Sequence, residues 1–213
     1  MPGVNVTTAI RSGQSAQNIA PSGRLFVAGM ADRGSVADPI LVQSLAEFVA
    51  HYGDRVSYSH LYDNLACFFE EGGSQAYVIR VVGPSATKGT ITLVDRAGTP
   101  KNTVKFDAAN PGAWSANLDV VVANGTVSNT VTITLLLNDE AVEVHRDMAS
   151  PAAIVSAFID SEYVDVTDLG SATAAPDNIP AAGTFTLSAG SDDRASATST
   201  HYAAALAKFV YDL

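Results

Sequence analysis

At Pro84 the character of the chain changes. From there to about residue 147 it runs through TITLV, TVKF, LDVVVA, TVTITLLL and AVEVH, divided by RAGTPKN, NPG, NGTVSN and NDE. β-branched residues interleaved with polar ones suit a pleated, half-buried surface, and the dividers are turn formers. An antiparallel β unit is therefore predicted over 88–147, with tight hairpins at Asn124-Gly125 and Asn138-Asp139. One helix interrupts, SPAAIVSAFID, with Ser150 as N-cap and Pro151 in the first helical position. A loop rich in Ala, Pro and Gly covers 170–183, and TFTLSAG is the last strand before GSDD. Residues 84–190 thus read as a β-rich domain inserted into another fold.

The host fold is legible upstream. RLFVAGM, residues 24–30, is a short apolar run suited to a buried strand, ADRGSVADP is a loop, and PILV is a short strand. Ser44 and Glu47 have the spacing of a capping box, the helix SLAEFVAHY buries Leu45, Phe48 and Val49, and Gly53 ends it. A second helix is predicted from Tyr58 to Glu71, with Leu61, Leu65, Phe68 and Phe69 on one face and Gly72-Gly73 as its stop. QAYVIRVV is the next strand. Downstream, STHYAAALAKFVYDL is helical, with Tyr202, Leu206, Phe209, Val210 and Leu213 as its apolar stripe. That stripe runs to the last residue without a cap, which predicts that the native chain continues.

The predicted fold class is α+β: an α/β layer over 22–83 and 191–213, the inserted β-rich domain over 84–190, and residues 1–21 as an extended N-terminal arm. Pro2 and Gly3 discourage a helix there, and Val4 and Val6 alternate with Asn5 and Thr7 at strand period. SGQSAQNIAPSG after them offers little to bury, so on composition alone a frayed terminus competes with an arm.

Composition narrows the function classes. Asp plus Glu number 22 against 12 Lys plus Arg, a net charge of −10. Such a surface repels phosphate, so neither nucleic acid nor anionic membrane is an expected partner. No apolar run reaches the ~18 residues of a membrane span, and MPGVNVTTAIRSGQ lacks the pattern of a secretory leader, which predicts a cytoplasm-like compartment. The single Cys67 excludes a disulfide framework, and the mid-helix position predicts a buried or half-buried structural thiol. His51, His60, His145 and His201 sit in different elements, and His51 reads as a helix-end residue. No nucleophile elbow, phosphate loop or dinucleotide fingerprint is present, so no catalytic residue, cofactor or metal is expected. Asp192 and Asp193 lack the alternating oxygens of a calcium loop and read as the N-cap of the following helix. Asp107, Asp119, Asp139 and Glu140 belong to separate runs with no reason to pair. Trp114 reads as a core or turn-packing residue.

Several segments together resemble one family, the tail sheath proteins of contractile bacteriophage tails and related injection systems. The opening PGV at 2–4 resembles that family's start. FVAGMADRGSVADPILVQSLAEFVAHYG, residues 26–53, resembles its strand, Arg-Gly, Pro, then Ser with Glu-Phe and a terminal aromatic-Gly. FFEEGGSQAYVIRVV at 68–82 resembles its FF-x-x-GG followed by a strand ending in Arg-Val. NPGAWSANLDVVV at 110–122 resembles its PG-x-W-x-N-x-L segment, and Gly190 with Ser191, Asp192 and Asp193 sits where its next block begins.

The resemblance implies a structural subunit, not an enzyme, that polymerises in rings around an inner tail tube and drives it through an envelope by contraction. Implied partners are neighbouring sheath subunits, the inner tube protein, and baseplate and tail terminator proteins. The implied location is the virion, after assembly in the host bacterial cytoplasm. Family members are longer, with a C-terminal α/β domain that faces the tube. The arm residues Pro2, Gly3, Val4 and Val6 would then link subunits by adding a strand to a neighbour. A surface-exposed β-rich binding or decoration module of a virion is the alternative reading of 84–190.

Overall fold

The computed structural model describes residues 23–209. The arm residues Pro2, Gly3, Val4 and Val6 lie outside the described residues, as do Val210 and Leu213 of the C-terminal stripe.

The architecture is α+β, built on two main hydrophobic cores. The first surrounds a three-stranded sheet of β1 (Arg24–Gly29), β2 (Ile40–Val42) and β3 (Gln75–Arg80), in the order β1-β3-β2. β1 and β3 run parallel, so the chain needs a crossover between them. That crossover carries β2, antiparallel to β3, and the helices α1 (Leu45–Tyr52) and α2 (Leu61–Glu70). Phe48, Tyr52, Leu61 and Leu65 from these helices bury against Ala76 and Val78 of β3. The other face of β3, Ile79 with the following Val81, meets Ala205 of α4 (Ser199–Leu206). β3 is thus covered on both sides, which is why QAYVIRVV reads as one nearly unbroken apolar run.

The second core lies between two antiparallel sheets. One has the order β4-β5-β9: β4 (Thr90–Val94), β5 (Asn102–Ala108) and β9 (Val164–Asp168). The other has the order β10-β6-β7-β8: β6 (Leu118–Asn124), β7 (Val131–Leu137), β8 (Glu140–Met148) and β10 (Gly183–Thr186). Leu93, Val104 and Phe106 from the first, Leu118, Val120, Ile133 and Leu135 from the second, and Ile154 and Phe158 of the α3 segment share one cluster. Helix α3 (Pro151–Ala157) starts as predicted, with Ser150 Oγ accepting from Ala153 N at 3.1 Å and Pro151 in the first turn.

Several expectations need correction. Ser44 Oγ caps α1, but the Glu47 carboxylate accepts from Gln43 N at 2.7 Å instead of closing the box on Ser44. In α1 it is Phe48 and Tyr52 that bury fully, while Leu45 and Val49 are only partly covered. α2 begins at Leu61, three residues after Tyr58, and Ser59 Oγ accepts from Leu61 N. Asn138-Asp139 form the predicted two-residue turn, with φ of 52° and 66°. Asn124-Gly125 do not, because Asn124 pairs with Val131 and a six-residue loop, 125–130, lies between. That loop closes on Asp147, whose carboxylate accepts from Thr126 N at 2.6 Å and Val127 N at 3.1 Å. β9 was not expected at all. In α4 Tyr202 and Phe209 of the predicted stripe pack against the core, but Ala205 is the buried residue between them and Leu206 is 49% exposed. Cys67 is exposed on α2, neither buried nor half-buried.

Candidate functional site at the junction of the two cores

The chain leaves the first core after β3 and returns to it before α4, and the two crossings run side by side. Thr87 and Ser191 exchange backbone hydrogen bonds at 2.8 and 2.9 Å, and Gly83 N donates to Asp192 O at 2.8 Å. Asp193 adds a side-chain clasp, its Oδ2 accepting from Ser85 N at 2.9 Å and its Oδ1 from Ser196 Oγ at 2.7 Å. Asp193 therefore does not cap α4 as predicted. Thr198 does, reciprocally with His201.

Arg80 stands beside this clasp. It ends an apolar strand and is only 2% exposed. Its Nε donates to Ala31 O at 2.8 Å, in the first core's β1–β2 loop, and its Nη1 donates to Pro111 O at 2.6 Å, ahead of β6. One planar fork thus holds a carbonyl from each side. Burial pulls its affinity for a proton below the usual guanidinium value, opposed by Asp192, Tyr58 and Asp32 nearby. Trp114 seats against the same turn, its indole N–H donating to Asn110 O at 3.2 Å, and it is buried as expected. Ser115 Oγ accepts from Gly190 N at 2.9 Å and lies 3.0 Å from the carbonyls of Gly112 and Ser188.

Glycine is required here for space. A Cβ on Gly83 would stand 1.9 Å from Asp193 O, and one on Gly190 would stand 2.3 Å from Thr87 O and 2.8 Å from Gly112 O. At Gly112, with φ +133°, a Cβ would meet Trp114 Cδ1 at 2.8 Å and Arg80 Nη2 at 2.9 Å. Four segments singled out in the sequence therefore meet at one place: Ala31-Asp32, Arg80, Pro111-Gly112-Trp114 and Gly190 to Asp193. The signal for Arg80 was present as a lone charge in an apolar strand.

Elsewhere the structure places the other residues singled out in the sequence. His51 ends α1 as expected and pairs with Glu162 across the cores at 3.4 Å. His145 meets Glu143 at 2.6 Å, and Ser161 Oγ donates to the other Glu143 oxygen at 2.6 Å, which ties β8 to the turn after α3. Asp119 and Asp139, unrelated in the sequence, line one cleft with Asn117, Asn138 and Thr186. Among the described residues no group of three or more His, Cys, Asp or Glu is placed to hold a metal. No described helix is long and apolar enough to cross a membrane. An open groove of about 960 Å³ runs between α2 and β1, an edge strand among the described residues, lined by Leu25, Val27, Cys67 and Phe68.

Three carboxylates give the fold an acid dependence. Asp95 accepts from Ser171 Oγ at 2.5 Å, then from Ala97 N and Lys101 N, and the first of these chiefly holds it below the ordinary carboxylate range. Asp147 is lowered mainly by the Thr126 hydroxyl, and Asp193 by Ser196 and then Ser85 N–H. A depressed folded-state pKa adds stability that is complete above the unfolded value near ~4 and is lost as pH falls through the folded one. Asp32 has the opposite sign, since burial raises it. The melting temperature is expected to hold from pH 7 to about 5 and to fall below about 4. Thermal melts of wild type and Asp95→Asn across that range check this, and the gap between them should narrow as pH falls.

No family model matches the chain, and no curated protein does. Solved structures do. A sheath tail protein from Listeria innocua aligns with a TM-score of 0.58 at 19% identity, over 79% of this chain and 34% of its own. A sheath tail protein from Desulfitobacterium hafniense aligns with a TM-score of 0.56 at 15% identity, over 97% of this chain and 43% of its own. The resemblance to tail sheath proteins seen in the sequence thus holds at the level of the fold. The chain spans between about a third and under half of the length of these structures.

Proposed function

We propose that the chain is part of a structural subunit of a contractile tail sheath, which polymerises in rings around an inner tail tube and drives it forward by contraction. The observation that carries this reading is the shared fold over 97% of the chain with a sheath tail protein. Two features fit it. Four of the segments that resemble sheath proteins, 26–53, 68–82, 110–122 and 190–193, contribute residues to one junction, which gives their joint occurrence a physical reason. Among the described residues β1 is an edge strand beside an apolar groove, which would suit strand addition by residues 2–6 of a neighbouring copy.

In this reading residues 1–21 are the linking arm, 22–83 with 191–213 form part of the sheath core, and 84–190 are the inserted outer domain. The partners are other sheath subunits, an inner tube protein, and the baseplate and terminator at the ends. The particle is assembled in the bacterial cytoplasm and functions in the virion. Energy for contraction comes from subunit contacts made only in the contracted state, so no nucleotide is consumed. The native-length protein, purified and imaged in negative stain, is expected to form rings or tubes. A monodisperse monomer whose melting temperature rises with a ligand would favour a binding module instead.

A further inference from the structure

We propose that the Arg80 junction is a rigid coupling that fixes the angle between the two cores, with Arg80 as its positioning residue. Two polypeptide crossings between two hydrophobic cores would ordinarily make a hinge. Here every device that would permit bending is blocked. The crossings are hydrogen-bonded to each other at Thr87 and Ser191 and at Gly83 and Asp192, and Asp193 clasps the outgoing one through Ser85 N. Gly83, Gly112 and Gly190 give no slack, because each is packed against backbone or against Trp114 and Arg80 at distances a Cβ cannot enter. A glycine in a flexible linker stands in open space, as Gly98 does with nothing within 4 Å.

Arg80 supplies the angular restraint. A planar guanidinium that donates Nε to Ala31 O and Nη1 to Pro111 O sets both distances and the plane between the two carbonyls. Rotating one core against the other breaks at least one of these bonds: loss of the buried one strands Arg80 Nε away from Ala31 O, and loss of the partly buried one leaves Pro111 O with only the longer contact from Trp114 Nε1 at 3.3 Å. Nη2, buried and without an acceptor among the described residues, is the polar group left over when the other two are fixed. The His51–Glu162 pair, half-buried at His51 and exposed at Glu162, lies across the same interface and adds little restraint.

The coupling does not depend on polymerisation, so its test and the assembly test fail independently. The only cysteine, Cys67, is exposed on α2 of the first core, and Val144, 42% exposed on β8, belongs to the second. Spin labels at Cys67 and at position 144 (Val144→Cys) report the distance between the cores by double electron–electron resonance. The background chain is expected to give one narrow distribution. Arg80→Met, which keeps the bulk and removes both bonds, is expected to at least double its width while circular dichroism stays folded. Arg80→Lys, which keeps the charge but not the fork, is read the same way should the methionine variant not fold. A broad distribution in the background chain, or an unchanged width in any folded Arg80 variant, overturns the proposal and leaves Arg80 as an ordinary buried contact.

Discussion

Deleting residues 1–12 is expected to leave the melting temperature of the subunit within about 2 °C and to abolish tube formation by the native-length protein. The two halves of this expectation have different physical sources. The hydrophobic clusters that hold the described fold are assembled from residues between Leu25 and Phe209. The subunit is expected to draw its stability from these clusters, so the deletion should cost it little. Assembly has a large one. An extended segment cannot satisfy its own backbone donors and acceptors, so a strand with Val4 and Val6 on one face gains most by joining a sheet edge. Among the described residues β1 is such an edge, and its Leu25 and Val27 line the groove. The polar stretch 12–20 would serve as a tether, letting neighbouring subunits rotate while the strand stays seated. Val4→Pro or Val6→Pro should act like the deletion, because proline removes a ladder donor. Negative-stain imaging with thermal melts on the same preparations reads both halves. Sheaths of normal length from the deleted protein would reduce the arm to a frayed terminus.

Most of the strands could be read because their burial is one-sided or complete. β7, VTITLLL, alternates buried and half-buried along its length, and the sequence carries the same alternation from Val131 to Leu135. β9 escaped because only Val164 and Val166 of VDVTD are apolar, and the strand exists through its pairing with β5 some sixty residues earlier. No local signal encodes that partner. The six-residue loop after Asn124 was misread for a related reason: it closes on Asp147, a carboxylate from the far side of the neighbouring strand. The mid-helix position of Cys67 between Ala66 and Phe68 suggests a buried or half-buried thiol. On a helix, however, the positions that face inward from Leu61 and Leu65 leave 67 outside. The junction was half legible. Its segments stood out as motifs, but no spacing rule brings residues near 31, 80, 111 and 192 together. Only the fold does that, by running the two crossings side by side.

The junction also separates glycines that look alike in the sequence. Gly83 and Gly98 both stand in loops flanking β4, and either could be taken for a simple turn residue. Gly83→Ala is expected to destabilise the chain by ~3 kcal/mol, with a fall in melting temperature of about 10 °C. Gly98→Ala is expected to be neutral or to stabilise by about 0.5 kcal/mol. The difference is steric. A Cβ on Gly83 would lie 1.9 Å from Asp193 O and 2.7 Å from both the carbonyl carbon and Oδ2 of the same residue, whereas at Gly98 nothing stands within 4 Å. Backbone cannot give way as a side-chain tip can. Relief at position 83 must separate the two crossings, which strains the Gly83–Asp192 bond, the Ser85–Asp193 clasp and the Thr87–Ser191 pair together. Because those contacts act as a unit, the cost exceeds that of a single lost hydrogen bond. At position 98 a methyl group meets only solvent and narrows the unfolded ensemble, so the small effect has the opposite sign. Paired thermal melts decide the matter. Equal, small shifts for both variants would mean that the crossings part easily, and the close packing at Gly83 would then carry no mechanical weight.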